Sequence, residues 1–304
     1  MKIAHVSDLH LLAIEGVPIR RFLNKRATGW INLRLKRGAI HRASHVRAVL
    51  RAVSEMRVDH VVVTGDLTNL ALESEFDLAR DTLRRELGMD PSEVTIVPGN
   101  HDLYTRGALR SGRFEAYFAR WMRSDLPHLA VPTSGGRFPV VRLRDGVAIV
   151  GLSSAVPRPP LIAAGELGEA QIEALKRVLA HPEVSRRTAI LVLHHPVLPY
   201  GSALKQYAQG LRDAASLRSA LQTLERGLVL HGHLHRRLQR TILTARGRLD
   251  QVSATSASLD HEAPDRMAGF NVYQLDKGSV SRIEARVYDS STDSFHVESV
   301  PRYV

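Results

Sequence analysis

Five short apolar runs in this chain each end in a cluster of polar residues, and this recurrence constrains the fold more than any other feature. The clusters are Ser7–His10, Thr64–Asp66, Pro98–Asp102, His194–Pro196 and His231–His235. The runs before them are rich in β-branched residues and bounded by glycine or proline, which predicts buried strands. Each cluster therefore follows directly on a predicted strand.

Helical periodicity separates these strands. It covers five segments, His45–Met56, Glu73–Leu87, Phe114–Met122, Leu167–Leu179 and Ala214–Leu224. Strands that alternate with helices predict βαβ units in a central sheet covered on both faces. After His235 the helices stop, and alternating runs predict antiparallel strands that complete a second sheet. Ligands bind at the carboxyl ends of strands in such sheets, so we expect the five clusters to converge.

The composition predicts one domain over residues 1–304. Of the 304 residues, 44% are hydrophobic, and no linker-like or repeated stretch divides the chain. No window reaches the roughly 18 consecutive apolar residues that a membrane-spanning helix needs. The N-terminus lacks the charged start and long apolar stretch of a signal peptide. We therefore expect a cytoplasmic protein.

The clusters consist mainly of carboxylate, amide and imidazole side chains, which are groups that bind divalent cations. The candidates are Asp8, His10, Asp66, Asn100, His101, Asp102, His194, His195, His231, His233 and His235. Because the chain has no cysteine, thiolate ligands are excluded, and the remaining donors suit Mn, Fe or Zn. Two such ions about 3.5–4 Å apart, sharing one carboxylate, can clamp both oxygens of a phosphoryl displacement.

The spacing within the clusters supports a shared pocket. On an extended strand end, residues two apart point to the same side, so Asp8 with His10 and His233 with His235 could each offer two donors. Glycine lets the backbone turn sharply and approach a metal closely, and in three clusters it directly precedes a candidate ligand: Gly65 before Asp66, Gly99 before Asn100 and Gly232 before His233. Each spacing alone is weak evidence, but five clusters in order form a specific pattern.

This ordered series resembles the calcineurin-like metallophosphoesterase family. The resemblance rests on Asp8-x-His10, Gly65-Asp66, Gly99-Asn100-His101-Asp102, His194 and Gly232-His233-x-His235. It implies a four-layer αββα sandwich with mixed central sheets, and a hydrolase that uses two metal ions. It also implies that Asp8, His10, Asp66 and His235 hold one ion. Asp66, Asn100, His194 and His233 would hold the other, with Asp66 as the bridge.

The resemblance assigns roles to residues beside the ligands as well. His101 would contact the phosphate and protonate the leaving oxygen, and Asp102 would hold its ring in place. Two cations would neutralise phosphate charge and lower the pKa of a bridging water, whose hydroxide is the nucleophile. Of the pair His194-His195, we interpret His194 as the ligand, so His195 would lie behind it or face the substrate.

Three further residues could contact the substrate. Asn69 resembles a substrate-side position of the cyclic-nucleotide and phosphodiester branch, although a helix N-cap before Leu70–Glu75 would explain it equally well. Tyr104 and Arg106 follow the third cluster and could reach a phosphate, or could belong to a solvated loop.

The excess positive charge lies in one segment. The formal net charge is +11, and the stretch from Val17 to Arg51 contains ten Lys or Arg residues and no acid. Between Pro18 and Arg42 these cations alternate with apolar residues. We interpret residues 17–43 as a basic amphipathic insertion that could contact an anionic membrane on its inner face or cover the metal site. The alternative is a surface helix pair with solvated charges.

Several substrate classes stay open at this point. The basic insertion favours a lipid-linked phosphodiester or pyrophosphate, as in UDP-2,3-diacylglucosamine pyrophosphohydrolases. Asn69 and the His194-His195-Pro196 sequence resemble class III cyclic nucleotide phosphodiesterases, which act on soluble 3′,5′-cyclic nucleotides. Cationic stripes also bind nucleic acid, but few aromatic residues are present for base stacking. A non-catalytic scaffold is disfavoured because every expected ligand and His101 are present.

Overall fold

The computed structural model describes residues 1–18 and 41–303, without the side chain of Arg106. Most of the basic insertion expected at residues 17–43 therefore lies outside the described residues, and so do the interpretations attached to it. No helix in the described ranges is long and apolar enough to cross a membrane.

The described residues form two large sheets and a small hairpin. The strands are β1 (Lys2–Val6), β2 (His60–Val63), β3 (Val94–Ile96), β4 (Val131–Thr133), β5 (Gly136–Phe138), β6 (Val140–Arg144), β7 (Val147–Gly151), β8 (Thr188–Val192), β9 (Gly227–His231), β10 (Leu238–Leu243), β11 (Arg248–Ser253), β12 (Gly269–Asp276), β13 (Ser279–Asp289) and β14 (Ser294–Glu298). β4 and β5 pair only with each other among the described strands.

Helices connect many of these strands. They are α1 (Ala43–Glu55), α2 (Glu73–Leu87), α3 (Arg106–Arg110), α4 (Arg113–Phe118), α5 (Glu169–Ala180), α6 (Pro182–Ser185), α7 (Ala203–Gln209) and α8 (Ala214–Ala220). Short 3-10 turns occur at Pro91–Glu93, Pro127–Leu129 and Leu221–Thr223. Of the predicted helices, α2 has the predicted bounds, whereas α4 and α8 end four residues earlier than expected.

Both sheets are mixed. The first has the order β14-β13-β12-β1-β2-β3, in which β1, β2 and β3 are parallel and β12 is antiparallel to β1. The second has the order β10-β11-β9-β8-β7-β6, in which β7, β8, β9 and β11 are parallel. The carboxyl ends of three neighbouring parallel strands in the first sheet, and of four in the second, thus meet at one edge of each sheet.

The chain after His235 does not simply complete a second sheet, as the sequence predicted. β10 and β11 extend the second sheet, and β11 is parallel to β9. β12, β13 and β14 instead extend the first sheet. Alternating apolar residues identify a strand, but the choice of its partner depends on contacts between residues far apart in sequence.

The two faces of the second sheet lie in different cores. Ile190 and Val192 of β8 pack in the core that also contains the first sheet and helices α1 and α2. Ala189 and Leu191 pack on the other face, against helices α5 and α8. Full burial of each large aliphatic side chain contributes about 1.5–3 kcal/mol. The layers therefore follow the order helix, sheet, sheet, helix, which confirms the expected αββα sandwich.

Candidate metal centre

The five polar clusters meet at the carboxyl ends of strands from both stacked sheets. Asp8 and Asp66 follow β1 and β2 of the first sheet, whereas His194 and His235 follow β8 and β9 of the second. Asp66 Oδ2 lies 3.4 Å from His194 Nε2, and Asp8 Oδ1 lies 3.2 Å from His235 Nε2. The structure therefore brings side chains from distant parts of the chain into one pocket.

Tight left-handed turns hold these side chains. Positive φ angles occur at Asp8 (51°), His10 (47°), Asp66 (51°), His233 (68°) and His235 (48°). Such backbone costs about 1–3 kcal/mol per residue, and hydrogen bonds between neighbouring loops retain it, as from Asp8 N to Gly65 O (3.0 Å). Left-handed turns therefore direct Asp8 and His10, and likewise His233 and His235, into the same pocket. The expectation that these residues lie on extended strand ends is wrong.

One group of donor atoms lies around His10. Its Nε2 is 2.9 Å from His235 Nε2, 3.8 Å from Asp8 Oδ1 and 4.0 Å from Asp66 Oδ2. Ligand atoms about 2.0–2.2 Å from one cation lie about 2.8–3.6 Å from each other. The separation between the His10 and His235 nitrogens lies within this range, and those from His10 to the two carboxylate oxygens are slightly larger.

A second group lies around His194. Its Nε2 is 3.1 Å from Asn100 Oδ1, 3.2 Å from His233 Nδ1 and 3.4 Å from Asp66 Oδ2. Asp66 Oδ2 thus faces both groups. One carboxylate oxygen between two sets of donors is the arrangement that a bridging ligand requires.

Each carboxylate has one oxygen anchored and the other directed at the histidines. Asp8 Oδ2 accepts hydrogen bonds from Ser7 Oγ (2.6 Å) and His233 N (3.0 Å). Asp8 Oδ1 is buried and faces His235 Nε2 at 3.2 Å. Asp66 Oδ1 accepts a hydrogen bond from His101 N (2.7 Å). Outer contacts of this kind orient metal ligands, so the donor set fits a cation.

The ionised carboxylates of the pocket favour positive charge at His194, whereas burial keeps His10 neutral. Burial would raise the pKa of the Asp66 carboxyl, but His194 and His101 hold this pKa well below its usual range. Burial likewise opposes protonation of His194, yet Asp66 and Asp8 raise its pKa to about 9. Burial keeps the pKa of His10 well below its usual value. Its imidazole is therefore neutral, which is the form that binds metals.

A model of the calcineurin-like phosphoesterase family matches residues 1–237 of the chain. The chain belongs to this family. It is 26% identical over 235 residues to a cAMP/cGMP dual specificity phosphodiesterase from Mycobacterium tuberculosis, with 76% of this chain and 60% of the relative covered. It is 25% identical over 203 residues to the glycerophosphodiester phosphodiesterase GpdQ from Enterobacter lignolyticus, with 67% and 59% covered. The chain thus spans about 60% of the length of these relatives.

A solved structure with the same fold is that of a dimetal phosphatase from Danio rerio. It superposes with a TM-score of 0.56 at 17% sequence identity, and the alignment covers 94% of this chain and 95% of that one. This likeness supports the calcineurin-like fold of the described residues.

In this member of the calcineurin-like phosphoesterase family, His101 lies at the edge of the pocket. Its Nδ1 donates a hydrogen bond to the carbonyl oxygen of Asn69 at 2.7 Å, and the Tyr104 ring stacks on it at 5.5 Å with an interplanar angle of 11°. One of its nitrogens lies within 4.8 Å of the donor atoms of His10 and Asp66. Tyr104 therefore packs on the ring of His101, and Asn69 orients that ring.

Asp102 does not hold the His101 ring, contrary to the expectation from the family pattern. Its carboxylate accepts hydrogen bonds from Thr68 N (2.9 Å), Thr68 Oγ1 (3.0 Å) and Gly99 N (2.9 Å). The side chain is fully buried, and burial together with the charge of Asp66 raises its pKa to about 7. Asp102 therefore fixes the loops that carry Asp66 and Asn100.

Asn69 is not the N-cap of helix α2, because that helix begins at Glu73. The Asn69 side chain is buried, and its Nδ2 donates a hydrogen bond to the carbonyl oxygen of His10. This contact links Asn69 to a loop that carries candidate ligands. Arg106 begins helix α3, and its side chain lies outside the described part of the chain.

His195 lies beside both candidate ligands of the second group, with its ring centroid 4.9 Å from that of His194 and 4.6 Å from that of His233. It is fully buried, its Nδ1 is 2.9 Å from Ser154 Oγ, and its Nε2 donates a hydrogen bond to Ala163 O at 2.9 Å. Burial and the neighbouring His194 lower its pKa to about 3. Both ring nitrogens thus have protein partners, which argues against contact with substrate.

Two glycines allow the loops to approach each other closely. A Cβ atom on Gly232 would lie 1.9 Å from Ser7 Oγ and 2.5 Å from Asp8 Oδ2. A Cβ atom on Gly99 would lie 2.2 Å from Asp66 Oδ1. Any larger residue at either position would displace a candidate carboxylate ligand.

The structure also places His41 beside the pocket, although no sequence motif contains it. Its ring centroid is 4.8 Å from that of His10 and 5.5 Å from that of His235. In the sequence, His41 belongs to the basic segment, where the pattern of cations and apolar residues dominates. A single histidine before the first predicted helix was its one signal.

Proposed function

We propose that this protein is a phosphoesterase that uses two metal ions to hydrolyse phosphodiesters or related pyrophosphates. The observation that carries the proposal is the position of Asp66 Oδ2, which lies 4.0 Å from His10 Nε2 and 3.4 Å from His194 Nε2. One carboxylate oxygen facing two donor groups suits a pair of cations better than a single cation.

The proposal assigns seven protein ligands. Asp8, His10, Asp66 and His235 would hold one ion, and Asp66, Asn100, His194 and His233 the other. These nitrogen and oxygen donors suit Mn, Fe or Zn, with availability deciding among them. When bound, two such ions neutralise phosphate charge and activate a water.

His101 supplies the proton in this proposal. Its Nδ1 donates to Asn69 O, so Nε2 is the nitrogen that would protonate the leaving oxygen. The stacked Tyr104 ring limits rotation of the imidazole. Asn69 and Tyr104 therefore act on the orientation of His101, and Asp102 acts on the backbone of the ligand loops.

A phosphodiester is the favoured substrate class. The support is that both curated relatives described above are named phosphodiesterases, one for cyclic nucleotides and one for glycerophosphodiesters. The lipid-linked and nucleic-acid alternatives depend mainly on residues 17–43, and both stay predictions. Contact with a membrane and a cytoplasmic location stay predictions as well. The single domain over residues 1–304 is part of this proposal as well.

The test is reconstitution of metal-free protein with Mn, Fe or Zn, followed by a substrate panel. The panel contains bis(p-nitrophenyl) phosphate, 3′,5′-cyclic AMP, a glycerophosphodiester, UDP-2,3-diacylglucosamine and single-stranded DNA. We expect two bound ions per chain and hydrolysis of at least one small phosphodiester only after metal is added. Protein that binds two ions but cleaves none of these substrates would contradict the proposal.

A further inference from the structure

We infer that His41 is an additional metal ligand, which joins His10 and His235 at one of the two cation positions. The inference rests on the proposed function, because it assigns one more residue to the same two-metal site. It would give this position five protein ligands, against four at the position around His194.

The first argument is the packing of three imidazole rings. The His10 ring centroid lies 4.8 Å from that of His41 and 4.9 Å from that of His235. His41 thus approaches His10 as closely as His235 does. One nitrogen from each of the three rings lies within 4.8 Å of those of the other two. A modest movement of the rings would bring all three nitrogens to one cation.

The second argument is that the His41 ring is oriented from its far side. Its Nδ1 lies 2.7 Å from Ser258 Oγ, which is 3.0 Å from Ser256 Oγ. Ser256 Oγ in turn donates to the carbonyl oxygen of Asp8 at 2.5 Å. Histidine ligands typically have the second ring nitrogen engaged in this way. The same pair of serines therefore connects His41 to a candidate ligand of the same cation.

The backbone of His41 is fixed as well. His41 pairs with Leu259 in an antiparallel bridge, and Arg42 N donates to Ser258 O at 2.8 Å. The Arg42 side chain forms an ion pair with Asp260 at 2.6 Å. His41 is thus held against the loop after β11, so its side chain needs little further ordering to bind a cation.

The chemical consequence is a difference between the two cation positions. With His41, one position has three imidazoles and two carboxylates. The other has two imidazoles, an amide and the shared Asp66 carboxylate. More imidazole donors favour transition metals over magnesium. We therefore expect the position around His10 to bind its ion more tightly than the position around His194.

The experiment is titration of metal-free protein with Co²⁺, followed by calorimetry and by visible absorption, which reports coordination number. For wild type we expect two sites of unequal affinity. In His41→Ala, the tighter site should lose affinity by about 10–100-fold and change its spectrum, while the weaker site is unchanged. Ser258→Ala, which keeps the imidazole but frees its orientation, should show a smaller loss. His128→Ala is the control, because His128 lies on the 3-10 turn Pro127–Leu129 outside the site.

Two outcomes separate this inference from the proposed function. If His41→Ala binds both Co²⁺ ions with wild-type affinities and spectra, His41 is not a ligand, and the two-metal proposal stands. If wild type does not bind two ions, the proposed function fails first and His41 has no site to join. Should His41→Ala lower the unfolding temperature of the metal-free protein, His41→Gln provides the same comparison with a polar side chain of similar length.

Discussion

The two sheets contribute different chemistry to the candidate site. The loops of the first sheet supply the oxygen donors Asp8, Asp66 and Asn100 together with His10. The loops of the second sheet supply imidazoles alone, at His194, His233 and His235. Every oxygen-donating candidate therefore comes from one half of the sandwich, and most of the nitrogen donors come from the other.

This division indicates that neither sheet forms a complete cation site by itself. The carboxylates of Asp8 and Asp66 are buried, and a buried charge is costly unless it is paired. Histidines of the second sheet provide part of the compensation, as the raised pKa of His194 indicates. Cations bound at the boundary would complete it, and they would also connect the two sheets.

Removing the shared charge should break this arrangement most severely. In Asp66→Asn the side chain keeps its shape but loses the charge that faces both donor groups. We expect weak binding of both ions and a loss of turnover on the order of 10³-fold with bis(p-nitrophenyl) phosphate. Metal content and steady-state kinetics measure the two effects.

The matched control for this substitution is Asp59→Asn. Asp59 lies at the opposite end of the first sheet, where it accepts a hydrogen bond from Lys2 N at 2.6 Å. The substitution Asp59→Asn should leave metal content and turnover unchanged. Two bound ions and wild-type turnover in Asp66→Asn would exclude the shared role.

Replacing His101 should separate catalysis from metal binding. His101 belongs to the first-sheet loops but, in the proposed function, to neither donor group. We expect His101→Gln to retain two ions and to lose turnover on the order of 10²-fold, because the leaving oxygen is no longer protonated. Diesters with alkyl leaving groups should lose more than bis(p-nitrophenyl) phosphate, since p-nitrophenolate leaves readily without a proton. An equal loss for both classes would argue against the acid role.

Metal removal should show whether the ions connect the two sheets. A ligand that binds only the folded state, present at 100 times its dissociation constant, stabilises that state by about 2.7 kcal/mol. We therefore expect chelation to lower the free energy of unfolding by roughly that amount for each ion. Urea unfolding with and without Mn²⁺ measures the difference. His194→Ala should reduce it, and equal stability in both conditions would contradict a connecting role.

The sequence predicted the location of the site better than the details of its contacts. Short apolar runs followed by polar clusters are local patterns, and the ends of parallel strands must meet at one edge. All seven candidate ligands therefore lie in one pocket, as expected. The left-handed turns at residues such as Asp8 were not expected, because backbone angles depend on hydrogen bonds between separate loops.

Contacts that depend on tertiary packing were not predictable in this way. Asp102 follows His101 directly, yet its carboxylate turns to Thr68 and Gly99 because those buried amides need an acceptor. His41 reaches the pocket only through pairing with the loop around Ser258. The strands β6 and β7 are followed by no candidate ligands, so the pattern of polar clusters did not predict them. The pairing of β12 with β1 joins residues about 270 positions apart, and no local sequence pattern predicts such a contact.

The smallest expected effect concerns the buried histidines outside the pocket. Their pKa values differ from those of the histidines that face the carboxylates, and His5 is the example. His5 lies within β1, fully buried, with its Nδ1 3.0 Å from Tyr273 Oη and its Nε2 2.9 Å from Thr64 Oγ1. Burial, reinforced by His231, lowers its pKa to about 3, whereas Asp66 raises that of His194. His5 therefore stays neutral in the folded protein.

This difference predicts how stability depends on pH in the metal-free protein. In the unfolded chain His5 has its ordinary pKa near 6.5, so between pH 6.5 and about 3 only the unfolded state gains a proton. The free energy of unfolding is therefore unaffected by this group above pH 6.5, falls as the pH falls below 6.5, and is lower by about 2 kcal/mol at pH 5. His5→Gln cannot gain this proton, so its free energy of unfolding should fall by about 2 kcal/mol less than that of wild type between pH 7.5 and pH 5. Urea unfolding at both pH values tests this, and His296→Gln, at an exposed position, is the control. If the free energy of unfolding falls equally for His5→Gln and wild type between these pH values, His5 does not stay neutral in the folded state.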